Sequence, residues 1–427
     1  MIYSILVVIV VHTVLPHNYI IIASAHRVYN QPRMRAQIEL HIADMPSCFR
    51  VPPERVQGSW HRPARSVFGA AACIDASGRR GLPAAFDANC TIRTLKPSAL
   101  RGLKLMLIGD SLMQYQFAAL VAWLGRAGRP LKCTPVSQQT LDPRGTVHDD
   151  AVSSAVQELA FQDPYDGGAQ DCERPGLSLY SRRLNLLPPA AELIDVLDTL
   201  FAPLRTTGEP GQAIAVINVG LWYDGPLARH AALAELPKPR RLAAALALLS
   251  SGVGQLSRAA CQRPDWPHII WREHLPQHFR GGGSFRMSLL REDARSATRG
   301  QRLCRPLSQQ DAAAMYERLS RPALAAIANA SSLASRHACP KPRRVTVLPA
   351  FWPLVSRHMD HDGSRLRPSA RRADCTHYLP CSGSMMLLNR MLLDAVMRRT
   401  ASSSRNQPSS PRARHREVRA HRAHRTQ

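Results

Sequence analysis

Lys104-Leu-Met-Leu-Ile-Gly-Asp-Ser-Leu-Met113 carries a short apolar run into a Gly-Asp-Ser turn and on into a stretch of helical spacing. A run this short, bounded by glycine, reads as a buried strand. Residues 112–126 read as a helix, so Ser111 is expected at a strand-to-helix turn. Gly109 permits the tight turn, and the start of a helix favours negative charge. Three more runs follow: Ala213-Ile-Ala-Val-Ile217, His268-Ile-Ile-Trp271 and Arg344-Val-Thr-Val-Leu348. Helical stretches lie between them at 190–201, 240–261 and 309–337, and 385–398 closes the series. Buried strands alternating with helices predict an α/β fold, a central parallel sheet flanked by helices.

The 427 residues leave room for a large core, and 45% are hydrophobic. Only 6% are aromatic, so that core is mostly Ala, Leu, Val and Ile. This excludes a wholly disordered chain, a small disulfide scaffold and a multi-span membrane protein. The net charge is +25, and all but five of the 56 basic residues are Arg. Arg-, Ala- and Pro-rich composition follows from GC-rich coding; the functional alternative is an anionic partner.

Residues 1–25 are apolar, broken by Pro16-His-Asn18, and end in Ala23-Ser-Ala25. The small-x-small ending fits a cleaved signal peptide better than a signal anchor, although no basic residue precedes it. Residues 26–47 read as a stem and 48–100 as a Cys-containing N-terminal subdomain. Residues 101–400 form the main domain, and 401–427 a basic disordered tail of seven Arg and one Glu. Ten scattered cysteines with no C-x2-C pair argue against zinc and for up to five disulfides in an oxidising lumen. Asn89-Cys-Thr91 and Asn329-Ala-Ser331 are glycosylation sequons.

Ligands gather at the carboxyl ends of parallel strands. There this chain places Gly109-Asp-Ser111, Asn218-Val-Gly-Leu-Trp-Tyr223 and Arg272-Glu-His-Leu-Pro-Gln-His-Phe279. A serine hydroxyl needs a base to become a nucleophile. His377 is the candidate, with Asp374 three residues earlier to hold its far ring nitrogen. Taken singly, Ser111 reads equally as a helix cap and His377 as an ordinary surface or core histidine. Their order, serine after the first core strand and Asp-x-x-His before the last helix, favours the catalytic reading.

Several blocks, in order, resemble the trichome birefringence-like polysaccharide O-acetyltransferases of the wider PC-esterase and SGNH-hydrolase-like group. They are Cys48 with Gly58-Ser-Trp60, Leu107–Gln116, Val216–Trp222, Arg272–Phe279 with Gly281-Gly-Gly283 and Cys304, and Asp374-Cys-Thr-His-Tyr378. The family's Arg-Asn after Gly-Asp-Ser-Leu-x is Gln114-Tyr115 here, Cys381 is displaced, and a long insertion precedes Cys304. The chain therefore resembles a divergent member.

The resemblance implies an SGNH-like three-layer fold and a double-displacement acyl transfer with catalytic Ser111, His377 and Asp374. It implies an oxyanion hole from the Ser111 and Gly220 N–H groups and Asn218, with uncharged Gln114 as a further candidate. The donor would be acetyl-CoA or an acetylated intermediate, and the acceptor a polysaccharide or glycan in the Golgi lumen, at its membrane or outside the cell. No metal or bound cofactor is implied. Trp222, Tyr223 and Trp271 could stack on sugars, with core packing as their ordinary role. Arg272, His274 and His278 could line the acceptor groove. The alternatives are a serine esterase of the same fold and a non-catalytic glycan-binding protein. A nucleic-acid-binding role for the tail is a further one.

Overall fold

The computed structural model describes residues 48, 53–56, 58–61, 73–74, 80–81, 85–88, 90–92, 100–126, 130–136, 151–161, 169–205, 212–279, 304–335, 345–361, 374–380 and 382–405. The expected leader, stem, Gly281–Gly283 segment and most of the tail lie outside these residues. Among the described residues no helix is long and apolar enough to cross a membrane.

Four short strands come first: β1 (Gly58–His61), β2 (Cys73–Ile74), β3 (Arg80–Gly81) and β4 (Ala85–Ala88). β1 pairs antiparallel with β4, and β2 with β3. A Cys48–Cys90 disulfide ties this region together. Next come β5 (Leu103–Gly109), α1 (Ser111–Arg126), β6 (Lys132–Pro135), α2 (Ala151–Phe161), β7 (Gln170–Arg174) and β8 (Leu177–Arg183). The order continues with α3 (Leu193–Arg205), β9 (Gln212–Asn218), α4 (Leu221–Asp224), α5 (Lys238–Gln262) and β10 (His268–Arg272). It ends with α6 (Gln309–Leu319), α7 (Arg321–Ser335), β11 (Thr346–Leu348), α8 (Phe351–Leu354) and α9 (Gly383–Arg405).

Seven strands form the central sheet in the order β11-β10-β9-β5-β8-β7-β6. The five from β11 to β8 are parallel. Side chains alternate along β5: Leu103, Leu105 and Leu107 face α1 and α9, while Met106 and Ile108 face α2, α3 and α5. The sheet is thus covered on both faces, which explains why β5, β9 and β10 read as short apolar runs; β8, Leu177-Ser-Leu-Tyr-Ser-Arg-Arg183, does not, and no strand is expected there from the sequence. The chain leaves β5 toward β8 on one side and returns to β9 on the other, opening a crevice at the carboxyl end of β5.

Three sequence expectations are corrected. The sheet is mixed, because β7 and β6 add an antiparallel edge. Their polar residues hid them, although Pro175-Gly176, with Gly176 at φ +78°, marked the β7–β8 turn. The single helix expected over 309–337 is two, broken at Ser320. Pro322 lacks an N–H and would clash with the carbonyl four residues back in a continuous helix, so it starts a new one. The last helix also runs to Arg405, into the stretch expected to be tail.

Candidate active site

β5 ends at Gly109, the strand partner of Arg183 on one side and Asn218 on the other. A Cβ at 109 would lie 2.2 Å from the Asn218 carbonyl oxygen, and φ there is +158°, so only glycine fits this approach. Asp110 is the helix cap: its Oδ1 accepts from the Leu112 N–H at 2.9 Å. The alternative reading of Ser111 as the cap is thereby removed. Ser111 opens α1 at 8% exposure.

Asp374 folds its own loop. Oδ1 accepts from the Thr376 and His377 N–H groups, each at 3.0 Å. Its Oδ2 accepts from His377 Nδ1 at 2.7 Å. With that proton on Nδ1, Nε2 presents its lone pair and accepts from the Ser111 hydroxyl at 2.6 Å. The Tyr115 ring stacks on the imidazole, with centroids 4.9 Å apart. Burial pushes the Asp374 carboxyl up in pKa, but the His377 and Thr376 hydrogen bonds outweigh it and hold it below the usual value. A Cys304–Cys375 disulfide anchors the loop.

Behind His377 runs a chain of histidines. His278 Nε2 donates to the Val355 carbonyl at 2.7 Å, because a carbonyl can only accept. His278 Nδ1 then accepts from His361 Nε2 at 2.6 Å. His361 Nδ1 faces the His377 carbonyl at 3.3 Å. Two neutral rings supply two protons to three contacts, and the longest contact is the one left without. Burial holds His278 down to about 4 and His361 well below the ordinary imidazole value, so both are neutral at pH 7.

On the other side, Arg183 Nη1 donates to Gln114 Oε1 at 2.7 Å. Asn218 Nδ2 donates to the Arg272 carbonyl at 2.9 Å, and its Oδ1 accepts from the Arg272 guanidinium. That leaves one Asn218 amide hydrogen. Arg272 Nη1 also reaches Gln116 Oε1 at 3.2 Å. Burial raises the Asp110 pKa, against the charges of Arg272 and Arg183, which lower it. Gly220 packs against His274, whose Nδ1 lies 3.1 Å from where a Cβ would stand.

The sequence-derived groove residues are corrected. Arg272 and His278 are fully buried and His274 nearly so. Arg272 bonds Asn218 and Gln116, and His278 bonds His361 and the Val355 carbonyl, while neither His274 ring nitrogen has a hydrogen-bond partner among the described residues. Burial and the charges of Arg272 and Arg318 hold His274 down to about 3. Tyr223 and Trp271 are core, with the Tyr223 hydroxyl accepting from the Leu187 N–H at 3.0 Å. Trp222 is half-buried beside Gly220. Asn329 of the second sequon is exposed on α7; Asn89 lies outside the described residues.

Sequence reasoning passed over Arg183 and His361, and it registered Tyr115 only as a departure from the family's motif. Arg183 is one of 51 arginines, and only its place opposite Gly109 singles it out. Among the described residues no His, Cys, Asp and Glu cluster could hold a metal ion. No protein-family model matches the chain, and no curated protein matches its sequence.

Proposed function

We propose that the protein is a serine acyltransferase that moves an acetyl group onto a polysaccharide or glycan hydroxyl. The observation that carries this is the continuous hydrogen-bonded line from Asp374 through His377 to Ser111 at the carboxyl end of β5. In this reading Ser111 Oγ attacks the acetyl carbonyl as His377 Nε2 takes its proton. Asp374 steadies the resulting imidazolium. The tetrahedral intermediate collapses, His377 returns the proton to the leaving group, and an acetyl ester remains on Ser111. A sugar hydroxyl then gives its proton to His377 and attacks the ester, and Ser111 regains its proton as the product leaves.

The acetyl donor, the glycan acceptor and the SGNH-like fold assignment rest on the motif resemblance to the trichome birefringence-like family. The disulfides Cys48–Cys90, Cys133–Cys172 and Cys304–Cys375 support a lumenal or extracellular setting. If water replaces the sugar hydroxyl in the second half, the same site is an esterase. Incubation with p-nitrophenyl acetate, with and without glycan acceptors, tests the proposal. Acetylated glycan as product supports it. Acetate release that no acceptor diverts contradicts the transferase reading, and no turnover at all contradicts both enzyme readings.

A further inference from the structure

The face of α1 that borders the Ser111–His377 pair carries one more polar side chain. Ser111, Gln114 and Tyr115 are three and four residues apart and so lie on one side of the helix. Tyr115 stacks on His377, which fixes that side as the one facing the reacting groups. Gln114 sits between them in sequence.

The orientation of the Gln114 amide is determined. Its Oε1 accepts from Arg183 Nη1, and a guanidinium has no acceptor to offer, so the reversed amide would set donor against donor. Arg183 is itself immobilised: it is 1% exposed, and its Nε donates to Asn185 Oδ1 at 2.8 Å. The Asn185 amide in turn donates to the Leu159 carbonyl at 3.0 Å. Gln114 Nε2 is therefore the free end of the amide. It is a buried donor with no hydrogen-bond partner among the described residues. A buried N–H left unmade is destabilising, so its persistence points to an acceptor that arrives with substrate.

We propose that Gln114 Nε2 donates to the oxyanion that forms when Ser111 attacks, and that Arg183 is the positioning residue that aims and polarises this amide. A guanidinium bound to the amide carbonyl draws electron density from it and makes its N–H groups better donors. Positive charge held behind a neutral amide stabilises the oxyanion. No proton changes hands at Gln114; it only strengthens a hydrogen bond as charge develops. The inference rests on the serine acyl-transfer reading.

Gln114→Glu is the decisive variant, because it keeps the shape and pairs with Arg183 while replacing the donor by a negative acceptor. With p-nitrophenyl acetate, kcat should fall at least 100-fold, with KM within threefold and thermal stability retained. Arg183→Met should also lower kcat, but much less when Gln114 is already Ala, since the two act as one unit. Near-wild-type kcat in Gln114→Glu overturns the proposal. Equal losses from Arg183→Met in both backgrounds overturn the role of Arg183. A folded wild-type protein without esterolysis, or one that a phosphonate reagent does not label at Ser111, would instead overturn the serine acyl-transfer reading itself.

Discussion

Cys375, bonded to Cys304, immediately follows Asp374 in the loop that carries His377. The same residue's carbonyl accepts from the His278 N–H at 3.1 Å. A covalent link therefore holds the orienting carboxylate beside the histidine chain. Cys304→Ser should lower stability by about 2–4 kcal/mol, read as a shift in the urea midpoint. It should also slow acylation of Ser111 under conditions where the variant remains folded. An acylation rate equal to wild type would show that the loop keeps its shape without the bond.

The buried histidines make the protein acid-labile. His274, His278 and His361 all have folded pKa values below the unfolded value. The unfolded chain therefore takes up protons that the folded one excludes as pH falls below about 6.5. Stability is fully present above that pH and is lost progressively down to the folded values, about 4 for His278 and about 3 for His274. From pH 7 to pH 5 each such imidazole removes about 2 kcal/mol. The urea midpoint should drop across this range, and His278→Gln should flatten the slope. A midpoint independent of pH between 7 and 5 contradicts the neutral assignment.

Gly109 has no tolerable replacement. Gly109→Ala puts a methyl into the Asn218 carbonyl and into Met113 Cγ, 2.5 Å away. It should destabilise the fold by on the order of 3 kcal/mol and displace Ser111. Gly102 has a positive φ of +75° but open space around it. Gly102→Ala should therefore cost less, about 1–2 kcal/mol, with esterolysis unchanged. Comparable losses at both positions would mean that the crowding at 109 relaxes freely.

Four of the five parallel strands, β5, β9, β10 and β11, and the three groups of the site were legible because each depends on local sequence. β5, β9 and β10 have apolar centres and end in Gly-Asp-Ser, Asn-Val-Gly or Arg-Glu-His. The missed elements depend on tertiary context. The β7 strand carries Asp171, Glu173 and Arg174 because it lies near the sheet edge, where no apolar face has to be continuous. From sequence alone Arg272 and His278 look ligand-facing, because polar residues at strand ends commonly are. Here they complete buried hydrogen-bond sets with Asn218, Gln116 and His361. Only the fold distinguishes the two uses. The partnership of Arg183 with Gln114 spans 69 residues and has no local signature.

Asp374→Asn tests the tautomer. An asparagine amide can donate to His377 Nδ1, which would leave the ring proton on Nε2, facing Ser111. Nε2 could then no longer accept the serine proton. Acylation should slow by about 10²- to 10⁴-fold while the fold persists. The two backbone hydrogen bonds to Oδ1 should survive the change. A rate within fivefold of wild type would mean that Asp374 serves the loop alone.

The line of three groups is tested most directly by reacting the protein with a fluorophosphonate and locating the adduct by mass spectrometry, in wild type and in His377→Ala. Wild type should carry a single adduct on Ser111, and His377→Ala should react at least 100-fold more slowly. An adduct on another residue, or equal rates in the two proteins, would contradict the assignment of Ser111 as nucleophile and His377 as its base.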